Sequence, residues 1–185
     1  VFDDKKAGTF KGAKLETTLS GLPGLMDTLK KHNGQNRGIY FVVNYGGHED
    51  AEITRINAQF MECDELSLDE QLNQIEAFPL EPSFIVKTRK SLHTYWLVRD
   101  AKVEDFRRVQ KGLAAKFGGD KACVNESRVL RLPGFYHCKQ EPVMVECIHF
   151  RPELRYTQEE LERHLPRVGD EPAPPGVAPA KGTRQ

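Results

Sequence analysis

Two carboxylates two residues apart, Glu62 and Asp64, lie in the run Phe60-Met61-Glu62-Cys63-Asp64, with Glu65 close behind. Read as a buried strand, the run alternates its side chains. Glu62 and Asp64 then leave one face, roughly 7 Å apart, while Met61 and Cys63 point the other way into a core. Neighbouring like charges repel and resist losing water unless a cation sits between them. Oxygen-only ligands suit Mg²⁺ or Mn²⁺, not zinc. A half-exposed strand with a polar outer face would show the same spacing, so other residues have to decide.

A second group follows thirty residues on. Residues 83–88 read as a strand, Arg89-Lys90 as a turn and residues 91–98 as the returning strand of a hairpin. Ser91 and His93 share one face of it, and Leu92, Thr94 and Trp96 share the other. A hydroxyl and an imidazole beside the cations Lys87, Arg89 and Lys90 could cradle phosphate oxygens. A single strand histidine is ordinarily a hydrogen-bonded structural residue, and the pairing with Ser91 and the basic turn is what points to a site. A third group begins with Gly118-Gly119-Asp120 at the end of a helix. It continues through Ser127–Gly134 to His137 and Lys139. Asp120 could supply a third metal ligand, a solvated loop aspartate being the alternative, and Glu126 is close enough to compete with it. Arg128 and Arg131 read as surface charges.

The elements that must carry these residues follow from periodicity. Leu22, Leu25, Met26 and Leu29 recur at helical spacing, closed by Asn33-Gly34. Residues 38–44 are β-branched and aromatic, which predicts a central strand, and the short charged connector at 48–57 makes it the neighbour of the Glu62/Asp64 strand. Ser67-Leu68-Asp69-Glu70 is a capping box opening a helix to about Phe78. Val103, Phe106, Val109, Leu113 and Phe117 define a helix starting near Asp100 and stopping at Gly118-Gly119. Residues 127–132 and 143–150 read as strands, and Thr157-Gln158-Glu159-Glu160 caps a last helix that ends before Pro166. This order predicts an α+β domain with a mostly antiparallel sheet, helices on one face and an open cleft on the other holding Glu62, Asp64, Ser91 and His93.

Composition narrows the function classes. The 185 residues suffice for one domain over 1–165, with 166–185 a Pro/Ala-rich linker or tail. Lys and Arg total 27, as do Asp and Glu. The net charge is therefore zero, and any polyanion site must be local. The four cysteines form no C-x-x-C pair. They suit reduced thiols in a cytoplasmic protein better than a disulfide frame or zinc site. No apolar run approaches membrane-spanning length and no signal peptide is present.

Taken together, Glu62-x-Asp64, Ser91-x-His93, Gly118-Gly119-Asp120, Arg131-Leu132-Pro133-Gly134-Phe135 and Lys139 resemble the motifs of the archaeo-eukaryotic primase superfamily. Within it, they are most similar to the RepB-like and phage-type primase-polymerases of plasmids and other mobile genetic elements. The resemblance covers residues 20–140. Two departures stand out: Glu62 is where this branch more often has Asp, and Arg89, Lys90 and Ser91 replace the small residues that usually precede the histidine. The resemblance implies an RRM-like sheet and a nucleotidyltransferase, a DNA primase and DNA polymerase that makes and extends primers on single-stranded DNA from nucleoside triphosphates (dNTP or NTP). It assigns two Mg²⁺ or Mn²⁺ ions to Glu62, Asp64 and Asp120, and the incoming triphosphate to Ser91 and His93. Arg131 and Lys139 become nucleotide or template contacts, with Lys87, Arg89 and Lys90 as weaker ones. A helicase or further domain in the parent protein would be typical. Two other readings of the residues remain, a metal-dependent nuclease and a non-catalytic single-strand-binding sheet, and the second would require exposed aromatics on the open face.

Overall fold

The longest strand among the described residues, Leu92–Val98, organises the rest because it is buried along almost its whole length. The computed structural model describes residues 1–4, 10–119 and 123–167. In chain order the strands are β1 (Phe2–Asp3), β2 (Arg37–Gly38), β3 (Tyr40–Val42), β4 (Ala58–Met61), β5 (Phe84–Lys87), β6 (Leu92–Val98), β7 (Val129–Arg131), β8 (Tyr136–His137), β9 (Val143–Met144), β10 (Glu146–Phe150) and β11 (Arg155–Tyr156). The helices are α1 (Leu22–Gly34), α2 (Leu68–Glu76), α3 (Phe106–Phe117) and α4 (Gln158–Glu162). The main sheet runs β10-β5-β6, with β4 antiparallel on the other side of β6 and β11 parallel to the end of β6.

The two faces of β6 do different jobs. Trp96, fully buried, stacks on Phe117 of α3 at 5.6 Å and meets Phe78 edge-on at 5.4 Å, so the face it shares with Leu92 and Thr94 is the helix-covered one. Tyr95 lies on the opposite face, 6.2 Å from Phe41 of β3. That face is not open: β3 and β7 form an antiparallel ladder over it, and Leu130 of β7 joins the main core. Helix starts follow the sequence signals. The Ser67 hydroxyl and the Glu70 side chain close a reciprocal capping box on α2, and Thr157 and Glu160 do the same on α4. Helix α3 begins at Phe106, after a 3-10 turn, and ends at Gly118 in the left-handed conformation (φ 66°).

Two expectations are corrected here. The 38–44 segment does not pair with β4; its ladder partner is β7, in register Tyr40↔Arg131, and only an isolated Tyr45↔Arg55 bridge closes the connector. The run 143–150 is also two strands, not one. Val143–Met144 pairs with β8, Val145 turns inward, and Glu146–Phe150 joins β5 with an irregularity between Cys147 and His149. Residues 168–185, which contain the Pro/Ala-rich stretch, lie outside the described residues.

A second, smaller core lies under α1, formed by Val1, Leu29, Ile39 and Phe135. Beside it Asp4 and Arg131 form a buried ion pair with N···O distances of 2.8 and 3.1 Å. The Asp4 carboxylate also accepts from the Cys138 N–H at 2.7 Å and the Tyr40 hydroxyl at 3.1 Å. The Arg131 guanidinium lies over the Tyr40 ring, 4.7 Å from its centre. Arg131, read from sequence as a surface charge, is thus almost fully buried and already matched to a carboxylate. Burial raises the Asp4 pKa, but the hydrogen bonds from Arg131 and Cys138 outweigh it, and the carboxyl is held below its usual range. Removing one partner leaves the other charged and dry. Asp4→Ala is therefore expected to cost about 3–5 kcal/mol in urea unfolding, and Asp4→Ala/Arg131→Met together less than the sum of the two single changes. Additive single costs would show that the pair is not coupled.

Candidate active site

The β4/β6 register decides which motif residues meet. Ala58 faces Leu97 and Met61 faces Thr94. Each pair sums to 155, so continuing one residue past the ladder sets Glu62 against His93, and continuing three sets Asp64 against Ser91. The side chains agree. The Glu62 Oε2 lies 3.3 Å from the His93 Nε2, and the Cys63 N–H donates to the Ser91 hydroxyl at 3.1 Å. Glu62 and Asp64 lie just beyond the end of β4, not within it, but the alternation continues: Met61 and Cys63 are buried, and Asp64 is exposed. Ser91 and His93 are buried and Glu62 is partly so, so the residues expected in an open cleft lie at depth and of the four Asp64 alone is exposed.

The electrostatics follow from that depth. Glu62 is mostly dry, which pushes its pKa up; His93, the Cys123 thiol and Arg128 oppose this, and the carboxyl ends below its usual range. The Arg128 guanidinium donates to its Oε1 at 2.8 Å, and the Cys123 Sγ lies against the same oxygen. Full burial lowers the His93 pKa to about 4, against the pull of Glu62 and Asp64. The ring is therefore neutral at pH 7, and contact with Glu62 requires its proton on Nε2. Arg128 supplies the charge that balances Glu62. It was read as a surface residue, and its placement depends on the β3–β7 ladder, which no local pattern announces.

Two buried glutamines hold the site together. The Gln71 amide donates to the Leu66 carbonyl at 2.8 Å and the Lys90 carbonyl at 2.9 Å, and accepts from the Leu92 N–H at 2.8 Å. It ties the segment after Asp64 to the turn before Ser91. On the opposite side Gln110 of α3 spans both backbone groups of Phe60, at 3.0 and 2.9 Å, and the Cys123 carbonyl at 3.2 Å. The sequence carried a signal for both: each is a polar residue on the apolar stripe of its helix, Gln71 with Leu68 and Ile75, Gln110 with Phe106 and Leu113. At the end of α3 the backbone itself approaches the site. A Cβ on Gly119 would fall 2.9 Å from the Glu62 carbonyl oxygen, and the Cys63 thiol lies 3.2 Å from the Gly118 carbonyl.

The next residue, Asp120, lies outside the described residues. Glu126 is described, and Arg107 grips its carboxylate with three hydrogen bonds of 2.7–3.0 Å. Among the described residues no three His, Cys, Asp or Glu side chains converge as a metal site. Of the basic candidates, Lys87, Lys90 and Lys139 are exposed, whereas Arg89 is partly buried. Phe60 and Tyr95, the aromatics of β4 and β6 on this face, are buried, and the exposed aromatics among the described residues, Phe2, Tyr45, Tyr136 and Phe150, lie on other elements.

A β-sheet with helices on one face and the two paired motifs on the other defines a catalytic domain of the archaeo-eukaryotic primase type. The cyanophage S-2L primase-polymerase AEP domain superposes with a TM-score of 0.68 at 35% identity, over 76% of each chain. The chain belongs to the RepB DNA-primase N-terminal domain family, whose model matches residues 48–164. The primase RepB′ shares the fold at 17% identity (TM-score 0.64, 88% of this chain and 54% of that one). Its catalytic domain in complex with initiator DNA does so at 18% (TM-score 0.62, 86% and 81%). No curated protein matches the sequence.

His93 carries a pH signature. Its folded pKa of about 4 lies below the ordinary 6.5, so the unfolded chain binds more protons between those values. Its contribution to stability is full above about pH 6.5 and declines as the pH falls toward 4, by up to roughly 3 kcal/mol. In urea unfolding under EDTA, His93→Asn should flatten this slope. An equally steep slope in the variant would place the titration elsewhere.

Proposed function

We propose that this DNA-primase domain is a primase-polymerase that joins nucleoside triphosphates on a single-stranded DNA template, both starting primers and extending them, by two-metal nucleotidyl transfer. The observation that carries the reading is the β4/β6 register, beyond whose end Glu62 meets His93 at 3.3 Å and the Cys63 N–H, next to Asp64, meets the Ser91 hydroxyl at 3.1 Å. Carboxylates and phosphate-binding groups then occupy adjacent rows of one surface. Asp64 is exposed and makes no hydrogen bond or ion pair among the described residues, so its oxygens are available to a cation. This all-oxygen donor set fits Mg²⁺ or Mn²⁺. Glu62, Asp64 and Asp120 would hold the ions, and the close packing of Gly119 on Glu62 supports Asp120 over Glu126, which Arg107 already holds. Bound ions would activate the attacking 3′-hydroxyl and steady the leaving pyrophosphate.

The chain's own groups do the rest. Ser91 accepts from the Cys63 N–H, which leaves its own proton to donate to a phosphate oxygen. His93 and Arg128 fix the direction of the Glu62 carboxylate. Lys87, Arg89, Lys90 and Lys139 attract the triphosphate or template, while Arg131, neutralised by Asp4, acts by shaping the wall behind them. A structural relative was solved with initiator DNA, and we extend DNA binding to this chain. No helix among the described residues is long and apolar enough to cross a membrane, and we place the reaction in the cytoplasm. We assign residues 1–165 to the catalytic domain and 166–185 to a linker toward a helicase or other domain.

The test is synthesis on unprimed and primed single-stranded DNA with labelled dNTPs or NTPs and either ion. Template-dependent product is expected, falling at least about 100-fold in Asp64→Ala and Asp120→Ala and much less in Glu126→Ala. Product on primed template alone would restrict the domain to extension. Cleavage of DNA without nucleotides, with no synthesis, would make it a nuclease. A loss in Glu126→Ala but not in Asp120→Ala would reverse the ligand assignment.

A further inference from the structure

Single strands of nucleic acid are held by a recurring pair of features, an aromatic ring open to a base and an arginine beside it. The sheet face of the site offers no such ring, but the connector that leads into β4 does. Four aromatic side chains are exposed among the described residues, Phe2, Tyr45, Tyr136 and Phe150, and of these Tyr45 alone has a guanidinium over its ring. The Arg55 guanidinium lies 4.8 Å from the ring centre and covers one face. Tyr45 is still 61% exposed, so the other face is open to solvent. The backbone around the ring is closed. The Tyr45 N–H donates to the Arg55 carbonyl at 2.9 Å, and the Thr54 and Arg55 N–H groups donate to the Tyr45 carbonyl at 2.9 and 3.2 Å. The Arg55 Nε donates to the Asn57 side chain at 3.1 Å, which fixes the guanidinium. Asn57 in turn donates to the Asn44 side chain and the Val43 carbonyl, both at 3.0 Å. At Gly46 a Cβ would run into the Glu52 carbonyl oxygen, so the turn after the ring is tight as well.

Charge and position agree with that use. The three acids of the connector are spent on internal partners: Glu49 and Glu52 accept from each other's backbone N–H, and Asp50 accepts from Ser127 and Arg107. Arg55 is exposed and pairs with no carboxylate among the described residues. The ring follows β3, which packs over the sheet face that carries Glu62 and His93. Beside it the Val43 N–H donates to the carbonyl of Arg128, the residue whose guanidinium holds Glu62. Arg55 precedes Glu62 by seven residues, at most about 24 Å of chain, which is the rise of about seven stacked nucleotides. One single strand therefore reaches both. We propose that Tyr45, backed by Arg55, is a stacking platform for one unpaired base of the template, several nucleotides from the reacting position. This rests on the single-strand reading above and adds a contact remote from the paired motifs. An exposed tyrosine and arginine also suit a protein partner. Their place on the motif side of the sheet, within one strand's reach of Glu62, favours the template.

Fluorescence anisotropy of the full chain with a labelled oligo(dT) of about 12 nucleotides reads the contact without catalysis. Tyr45→Ala should weaken binding about 5- to 100-fold, and Tyr45→Trp should keep it, because stacking needs the ring and not the hydroxyl. Arg55→Gln should also weaken binding and reduce the slope of log affinity against log salt by about 0.7, whereas Tyr45→Ala should leave the slope unchanged. A duplex of the same length, whose bases are already stacked, should bind the wild-type chain and Tyr45→Ala alike. Thermal melts establish that each variant is folded, and Tyr45→Leu takes the place of Tyr45→Ala if that one is not. Unchanged oligo(dT) affinity in Tyr45→Ala, as a protein-docking role would give, would overturn the platform. So would an equal loss on the duplex, a Tyr45→Trp variant as weak as Tyr45→Ala, or no oligonucleotide binding by the wild-type chain. If binding depends on Tyr45 but the synthesis assay yields no product, the platform stands and the polymerase reading falls. Template-dependent product with oligonucleotide binding indifferent to Tyr45 overturns the platform alone.

Discussion

A carboxylate that keeps its charge while largely out of water has to be answered on every side, and Glu62 is answered by three different parts of the chain. His93 comes from the neighbouring strand, Cys123 from the segment after α3, and Arg128 from the start of the ladder that covers the sheet. None of these can shift without leaving the charge exposed to a low-dielectric surround, where a lost partner costs several kcal/mol. Helix face and ladder face are therefore bound to the same point. The sheet is a two-sided sandwich because its most polar residue needs partners from both layers.

Around that point the backbone is held by amides instead of ions. Gln71 and Gln110 are neutral and make three hydrogen bonds each, Gln71 tying the segment after β4 to the start of β6 and Gln110 tying β4 itself to Cys123. A neutral amide fixes geometry without altering the local potential. The field at Glu62 and His93 is then set by the charged side chains, Arg128 at both and Arg131 at His93.

Periodicity made much of this legible in the sequence. The capping boxes at Ser67 and Thr157 lie where read, the Leu92–Val98 strand alternates as expected, and Glu62 and His93 lie on one face because both follow a period of two. What local pattern could not show was pairing between distant segments. Residues 38–44 looked like a neighbour of β4 because the connector is short, but the ladder partner arrives ninety residues later in β7. Arg128 and Arg131 looked like surface charges because their acids, Glu62 in one case and Asp4 in the other, are far away in sequence. The strand at 143–150 broke in two because Val145 is drawn into the core between β8 and β5, a demand of packing and not of composition.

The Asp4–Arg131 pair spans 127 residues, and the core under α1 waits for Phe135. During synthesis at about 5–20 residues per second, Asp4 emerges roughly 6–25 s before the guanidinium that neutralises it. For that interval the first helix and its apolar side have nothing to close on. The side of the domain under α1 can thus close only once β7 and Phe135 have been made, and until then the nascent protein presents that surface to chaperones.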